Sequence, residues 1–213
     1  MQIIISDCIF IHPMSSPSEH AKSVFHERGG TLRTREALAA GIHPRTLYAL
    51  RDGGALDQTG RGLFRLAGML PLSEPDLITV AMKVPQAVFC LITALAFHGL
   101  TAQIPHEVQI ALPRTARHPR LAYPPIKAFR FSTNSFAAGV ETHQIDGVSI
   151  RVYGAEKTLA DAFKYRNKIG LDVALDALRN YRDRRKPQFQ KVLEFARICR
   201  VERVIRPYLE ASL

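Results

Sequence analysis

Apolar residues at helical spacing predict three short helices near the start of the chain, followed by a pair of strands. In "SEHAKSVFHERGG" the apolar residues Ala21, Val24 and Phe25 fall on one helical face, and Gly29-Gly30 ends the helix. The segment "ALDQTGRGLFRLAG" reads as a strand, a glycine-rich turn and a second strand, which predicts a hairpin. The residues between these two segments carry the other two helices.

Those two helices lie in "TREALAAGIHPRTLYALRDGG". We expect Thr34 to cap the first helix, and Ala37 is small enough to let two helices cross closely. Gly41 suits the left-handed position at a helix end, and Leu47 and Leu50 would anchor the second helix in the core. Three helices and a hairpin in this order predict a winged helix-turn-helix over residues 18–70.

The two leucines leave the other side of the second helix to face solvent. A recognition helix presents its N-terminal residues to base edges in the major groove. Arg45 could pair with guanine, Thr46 could bond a base or a phosphate, and Arg61 could reach the minor groove or the backbone. The alternative is a winged helix used for protein contact alone. The residues predicted to contact DNA are Arg33, Thr34, His43, Arg45, Thr46, Tyr48, Arg51, Arg61, Arg114 and Arg117.

Beyond a linker over residues 71–75, the pattern changes to alternating helices and strands. "SEPDLITVAMKV" predicts a helix that begins with Ser73 and Asp76 at capping-box spacing. The strongly apolar "QAVFCLITALAFHGL" predicts a buried helix that ends at Gly99. The segments "EVQIAL", "IKAFRFS", "THQI" and "VSIRVY" predict strands, with Asp146-Gly147 as a hairpin turn between the last two.

The rest of the chain is helical in pattern. "GAEKTLADAFKYRNKIG" predicts an amphipathic helix, whose acids and lysines stand as ordinary neighbours three or four residues apart. Residues 171–213 predict two or three helices broken near Pro187 and Pro207. The predicted fold class is therefore α+β: an N-terminal winged helix-turn-helix, then a mixed α/β C-terminal domain with a helical tail. We expect a peripheral extension over residues 1–17, the DNA-binding domain over 18–70 and the C-terminal domain over 71–213.

The charge balance favours an anionic partner. The chain has 213 residues and a formal charge of +10, from 29 Lys and Arg against 19 Asp and Glu. Such a balance suits DNA, RNA, an acidic protein or an anionic membrane. A basic loop, "PRTARHPRLAYPPIKAFR", contains no acid, and it either touches phosphate or is simply solvated. The tail from "YRDRRK" onward is also basic, and the same two interpretations apply, with an acidic partner as a third.

Cysteine usage and the N-terminus indicate a cytoplasmic protein. Cys8, Cys90 and Cys199 are far apart and form no paired motif, which predicts neither disulfides nor a zinc site. The first apolar stretch is short, is interrupted by Asp7 and follows no Lys or Arg. It is therefore a poor signal peptide and too short to span a membrane, and Met14 is an alternative start.

No catalytic pattern stands out. The chain contains no GxSxG, P-loop or GxGxxG motif, and its histidines are scattered without metal-ligand spacing. Glu107 and Asp146 lie at predicted strand ends, but neither is followed by the acid-x-lysine pattern of many nucleases. We therefore expect no enzyme, no cofactor and no metal, with a nuclease as the alternative.

Three blocks in one order resemble AbiEi-type antitoxins, the transcriptional regulators of type IV toxin–antitoxin systems linked to phage defence. They are "GGTLRTREALAAGIHPRTLYALRDGGALDQTGRGLFRLAG", "ITVAMKVPQAVFCLITALAFHGLTAQIPHEVQIALPR" and "GVSIRVYGAEKTLADAFKYRNKIG". The resemblance spans roughly residues 21–181. One departure is Lys157, which stands where the family often has arginine.

The resemblance implies a specific function. Such proteins join a winged helix-turn-helix to a C-terminal antitoxin domain and repress their own promoter by binding inverted repeats in double-stranded DNA. They counter a nucleotidyltransferase-like toxin without a stable complex. The DNA-reading helix would fall on residues 43–51. The alternatives are a stand-alone transcriptional regulator and a protein-interaction module without a cognate toxin.

Overall fold

A computed structural model describes residues 16–60, 62–69 and 72–212. The chain divides into two compact units, with the boundary between residues 71 and 72. The described residues form eleven helices and eight strands, so the predicted mixture of helices and sheets is confirmed. The expectations for residues 1–15, including Cys8 and Met14, and for Arg61 lie outside these residues. Ser16 and Pro17 of the predicted extension instead cap and begin the first helix.

The first unit contains three helices and a three-stranded antiparallel sheet in the order β1-β3-β2. Its elements are α1 (Pro17–Glu27), β1 (Thr31–Arg33), α2 (Thr34–Ala39), α3 (Pro44–Asp52), β2 (Leu56–Gly60) and β3 (Leu63–Leu66). The three helices and the hairpin of β2 and β3 occur in the predicted order. Strand β1 was not predicted, because three residues are too few to show an alternating pattern. It pairs with β3, where Leu32 lies opposite Phe64.

The core of the first unit forms where the helices pack on one face of this sheet. Phe25 of α1, Ala37 of α2 and Leu47 of α3 are fully buried and belong to one cluster with Phe64 of β3. A fully buried aliphatic or aromatic side chain stabilises a fold by roughly 1.5–3 kcal/mol. The predicted anchoring of α3 by Leu47 and Leu50 is therefore confirmed, since their exposed fractions are 0% and 7%.

The expected cap of α2 was wrong by one residue. Thr34 is the first residue of the helix, and Arg33 holds the cap position with the extended backbone of strand β1. The Arg33 N–H donates to Glu36 Oε2 at 2.9 Å, which satisfies a backbone donor that the helix leaves free. The Thr34 hydroxyl instead donates to the carbonyl of Gly62 at 3.4 Å, across to the hairpin.

The second unit has a five-stranded mixed sheet in the order β6-β5-β4-β8-β7. Its strands are β4 (Val88–Phe89), β5 (Val108–Pro113), β6 (Ile126–Phe131), β7 (Val140–Ile145) and β8 (Val148–Tyr153). Its helices are α4 (Pro75–Lys83), α5 (Leu91–Phe97), α6 (Thr133–Ala137), α7 (Ala155–Lys164), α8 (Arg166–Ile169), α9 (Leu171–Arg182), α10 (Phe189–Cys199) and α11 (Glu202–Glu210). Strands β5 and β6 run parallel, as do β4 and β8, and the other neighbours are antiparallel. The four predicted strands and the hairpin turn between Ile145 and Val148 are confirmed.

Two helix predictions in the second unit need correction. The run "QAVFCLITALAFHGL" is not one helix, because Val88 and Phe89 form β4 at the middle of the sheet and only α5 follows. A short, wholly apolar strand buried on both faces cannot be told from a buried helix by periodicity. Ser73 does not cap α4, whose cap position is Glu74. The Ser73 N–H and hydroxyl instead both donate to Asp146 Oδ2, at 2.8 and 3.0 Å.

The helical tail is interrupted at one predicted position and at one position that was not predicted. The break near Pro187 is confirmed, since α9 ends at Arg182 and α10 begins at Phe189. Pro207 does not break a helix but lies inside α11. The second break falls at Arg200, whose left-handed backbone, with φ of 58°, ends α10. No helix within the described ranges is long and apolar enough to cross a membrane.

Candidate nucleic-acid interface

The turn between α2 and α3 fixes how the second helix starts. Gly41 has φ of +86°, the left-handed conformation that glycine adopts without steric cost, as the sequence predicted. The Ile42 N–H then donates to the Ala37 carbonyl at 3.0 Å, and the Ile42 side chain is buried. Pro44 occupies the first turn of α3, where its missing N–H costs nothing. The start of α3 is therefore held by backbone geometry and by the core.

His43 caps α3. Its Nδ1 atom accepts a hydrogen bond from the Arg45 N–H at 3.1 Å, so the imidazole satisfies one of the free donors at the helix start. This role requires Nδ1 without a proton. The side chain itself is exposed, and the helix N-terminus beside it carries a partial positive charge that favours anions.

The outer face of α3 presents a cation and an aromatic ring to solvent. Arg45 and Tyr48 are exposed, whereas Thr46 is half-buried beside Leu47. Arg45 forms no ion pair with any carboxylate among the described residues. Its guanidinium is therefore available to an external acceptor such as a base edge or a phosphate.

Tyr48 and Arg51 support one another on the C-terminal half of α3. Tyr48, 42% exposed, packs edge-on against Phe64 with ring centres 5.8 Å apart, and the Arg51 guanidinium lies 4.9 Å from the Tyr48 ring centre. Arg51 also pairs with Asp52 at 2.7 Å and donates to Gln58 of β2 at 3.4 Å. Arg51 is thus already neutralised and held in place, in contrast to Arg45.

Arg33 and Thr34 lie at the junction of β1 and α2 rather than on α3. The Arg33 side chain is largely covered, and its Nε atom lies 4.0 Å from Glu36 Oε1. Burial lowers the pKa of Arg33 from its ordinary value, although Glu36 acts in the opposite direction. Thr34 bonds Gly62 through its N–H, at 3.0 Å, as well as through its hydroxyl. The structure thus places both residues beside the hairpin turn, and His43 to Arg51 together on α3.

Arg114 and Arg117 belong to the second unit. Both are exposed in the segment that joins β5 to β6, so the prediction of a basic loop between two strands is confirmed. Lys127, from the same basic stretch, pairs with Glu107 at 2.9 Å and is no longer an uncompensated charge.

The structure also reveals a buried ion pair that sequence reasoning misjudged. Lys157 Nζ lies 2.5 Å from Asp161 Oδ2 within α7, and both side chains have no exposed surface. The Lys157 ammonium also lies 4.2 Å from the ring centre of Tyr153 and 4.9 Å from that of Phe131. The predicted helix is confirmed as α7 and α8, but its charged side chains were expected on an exposed face, and nearly every side chain of α7 is buried.

Cys199 extends this pair into a buried polar network. Its thiol donates to Asp161 Oδ1 at 3.3 Å, and Ser135 Oγ lies 3.5 Å from the sulfur. Burial raises the pKa of Asp161 and opposes the lowering effect of Lys157, while burial and Asp161 raise the pKa of the Cys199 thiol to about 11. A thiol with a raised pKa is a poor nucleophile. The apolar residues on both sides of Lys157 and Asp161 were the available signal that the pair is internal.

The described residues hold no cluster of three or more His, Cys, Asp or Glu that could bind a metal ion. His98 packs at the end of α5, as expected, with Nε2 donating to the Tyr153 carbonyl at 2.7 Å. This hydrogen bond fixes the imidazole of His98 against the end of strand β8.

Comparison with known proteins finds a similarity to a known family that is confined to the first unit. Residues 21–67 match the family described as "Transcriptional regulator, AbiEi antitoxin". The predicted resemblance is thereby confirmed over those residues, which include α2, α3 and the hairpin. No curated protein sequence matches the chain. Among solved structures, the crystal structure of RV2827C protein from Mycobacterium tuberculosis aligns with 13% identity and a TM-score of 0.46, over 90% of this chain and 79% of that chain.

Proposed function

We propose that the protein is a DNA-binding transcriptional repressor that acts as the antitoxin of a type IV toxin–antitoxin system. The first unit would be a winged helix-turn-helix, with α2 and α3 as its two helices and the hairpin of β2 and β3 as its wing. The match of residues 21–67 to transcriptional regulators of the AbiEi antitoxin family supports this proposal. In this account α3 enters the major groove.

The observation that carries the proposal is the division of α3 into two faces. Leu47 and Leu50 are buried, and Arg45 is exposed without an ion pair to any described carboxylate. The helix start is also preset by Pro44 and by the His43 cap, so little order has to be gained on binding. Arg45 would read a guanine, while the N-terminal N–H groups of α3 and Thr46 would contact the backbone.

Arg33, Thr34 and Arg61 would form a second set of contacts. Arg33 and Thr34 lie beside Gly62 of the hairpin, and the wing of such domains commonly meets the minor groove or the backbone next to the recognition helix. Tyr48 and Arg51 would flank the groove rather than read bases, because Arg51 is already paired with Asp52. These assignments predict a graded loss of affinity, largest for Arg45.

A gel-shift on the DNA upstream of the protein's own reading frame tests this function. The wild type should bind an inverted repeat there, and Arg45→Ala should weaken binding by about 1–3 kcal/mol, or roughly 5- to 150-fold. Arg28→Ala, which removes the same charge at the end of α1, is the matched control and should bind nearly as well as the wild type. Equal binding by the wild type and Arg45→Ala would reject α3 as the reading helix.

The antitoxin role concerns the second unit, which the family match does not reach. The second unit would counter a nucleotidyltransferase-like toxin without forming a stable complex with it. Co-expression of the protein with that toxin should therefore restore the growth that the toxin inhibits, although the two proteins do not co-purify. Arg45→Ala, which weakens DNA binding but leaves the second unit unchanged, should still rescue growth. Failure of rescue by the wild type would instead favour a stand-alone regulator.

A further inference from the structure

Strand β7 is one edge of the five-stranded sheet, and its outer side pairs with no strand of the described ranges. Its six residues pair with β8 in one unbroken antiparallel register. Among residues 16–60, 62–69 and 72–212, no main-chain hydrogen bond joins β7 to any element other than β8. Unpaired main-chain groups along a regular edge are a template for another strand.

The two edges of this sheet are protected to different degrees. The opposite edge, β6, carries the exposed cations Lys127 and Arg130, and the Tyr165 hydroxyl donates to the Arg130 carbonyl at 3.3 Å. Charged side chains and groups that cover an edge hinder its association with another strand. Strand β7 contains no Lys, Arg or Pro and no bulge, and three of its six residues are β-branched, which favours an extended strand. Of the two edges, β7 is therefore the one that can accept a further strand.

The turn between β7 and β8 determines which main-chain groups point outward. Asp146 and Gly147 have φ of 47° and 78°, as in the type I′ turn of a two-residue hairpin. Ile145 and Val148 close this turn and are its hydrogen-bonded pair. Because bonded and non-bonded pairs alternate along an antiparallel ladder, every second residue of β7 before Ile145 turns its N–H and C=O groups away from β8. These residues are Val140, Thr142 and Gln144.

The side chains of β7 place an acid and a base on the same face. His143 Nε2 lies 3.1 Å from Glu141 Oε2, and the two side chains are 38% and 43% exposed. If a second copy of β7 runs antiparallel to the first with Thr142 opposite Thr142, Glu141 of each copy lies opposite His143 of the other. Opposite charges facing each other across two strands attract, and a threonine pair is also favourable. A shift of two residues either way would instead place Glu141 opposite Glu141 or His143 opposite His143.

We infer that β7 is the interface through which two copies of this chain form a dimer, with their five-stranded sheets joined edge to edge across a two-fold axis. The register centred on Thr142 satisfies the outward main-chain groups and the charges together, and both copies use the same residues, as a two-fold axis requires. Two strands of six residues meet over only about 20 Å, so the interface is small and the dimer depends on protein concentration. The inference goes beyond the proposed function and does not require DNA.

Cysteine cross-linking of the full chain without DNA tests the register. Thr142→Cys would bring two Cα atoms to about 5.5 Å across the axis, a distance that a disulfide spans. Oxidised glutathione should therefore convert this variant to a covalent dimer. Gln144→Cys is the matched control, because Gln144 is also exposed on β7 but would lie about 13 Å along the strand from its copy. The wild type, with its own three cysteines, gives the background. A yield for Thr142→Cys no higher than that for Gln144→Cys overturns the inference.

A charge exchange tests the pairing of Glu141 with His143. His143→Glu makes this face of β7 acidic, and Glu141→Lys makes it basic. Each variant alone should dimerise about 2- to 30-fold more weakly than the wild type in sedimentation velocity, because two favourable cross-strand pairs are lost. An equimolar mixture should regain the wild-type dimer fraction, since each acid then faces a base. A mixture as monomeric as either variant alone contradicts the proposed register.

The remaining outcomes decide whether a second copy is the occupant of this edge. A wild type that stays monomeric at every concentration overturns the inference. So does a full chain that stays monomeric when the same chain begun at Met14 dimerises, since the edge would then belong to the first thirteen residues. Unchanged urea midpoints show that the variants remain folded. Because no arm contains DNA, these failures leave the proposed function untouched, and an unaffected gel-shift with Arg45→Ala would leave the dimer untouched.

Discussion

Helices α3 and α7 both carry cations, but the two helices use them in opposite ways. On α3, Arg45 is exposed and has no described carboxylate as a partner. On α7, Lys157 has no exposed surface and lies 2.5 Å from Asp161. A buried charge that is already paired contributes to the fold, whereas an exposed one without a partner is available to a ligand. The position of a basic residue in the fold therefore decides its role more than its presence in a basic sequence does.

The largest predicted effect is a loss of stability when the buried Lys157–Asp161 pair is broken. Asp161→Ala should lower the free energy of unfolding by about 3–5 kcal/mol, because it leaves the Lys157 ammonium buried without its counterion. Urea denaturation followed by circular dichroism measures the change. The control is Asp176→Ala, which breaks an exposed pair with Arg179 and should cost roughly 0.2–1 kcal/mol. Similar losses in the free energy of unfolding for the two variants would mean that the buried pair stabilises the fold no more than the exposed pair does.

A second experiment separates capping from DNA contact at His43. His43→Ala removes the acceptor for the Arg45 N–H and should destabilise the first unit by about 0.5–2 kcal/mol. His43→Asn restores a good cap without the imidazole, so thermal unfolding should return close to that of the wild type. Duplex binding by the two variants then shows whether the ring itself contacts DNA. If Asn is as destabilising as Ala, the cap is not what holds the start of α3.

The smallest predicted effect is a pH dependence from His98. Burial lowers the pKa of His98, although its bond to the Tyr153 carbonyl and the charge of Glu141 act in the opposite direction. The unfolded chain therefore binds the proton more readily than the folded one, and the free energy of unfolding should fall as the pH drops below about 6.5. His98→Asn should flatten this part of the profile relative to the wild type. A profile unchanged by the substitution would place the titration on other groups.

The sequence predicted the elements that have a clear period or a strong turn signal. The helices of the first unit follow from Ala21, Phe25, Leu47 and Leu50, and the hairpin of β7 and β8 follows from Asp146-Gly147. These signals are local, so they survive without knowledge of the packing.

The predictions that were wrong concern residues whose conformation depends on packing between elements. Strand β4 is two residues long and wholly apolar, so its partners β5 and β8 decide its conformation rather than its own pattern. Lys157 and Asp161 stand four residues apart, a spacing that is usual on exposed helices, and their burial follows from the elements packed on every side of α7. Ser73 was expected to cap a helix, but its partner Asp146 lies far away in the chain.

The candidate site was predictable in its location and less so in its details. Gly41 and the two leucines identified α3 and its exposed face from the sequence. The pairing of Arg51 with Asp52 and the cap by His43 are local contacts that depend on side-chain geometry. The bond from Arg51 to Gln58 of β2 joins two elements, and no local pattern records it. Whether the ten predicted residues contact DNA stays a prediction.

The measurement that decides the role of α3 combines a protein change with a DNA change. Each guanine of the bound inverted repeat is replaced in turn by 7-deazaguanine, which lacks the N7 acceptor that an arginine uses in the major groove. The wild type should lose affinity at one position in each half-site, by about 1–3 kcal/mol, and Arg45→Ala should show no further loss there. Equal losses for the wild type and Arg45→Ala at every position would contradict the reading of bases by Arg45.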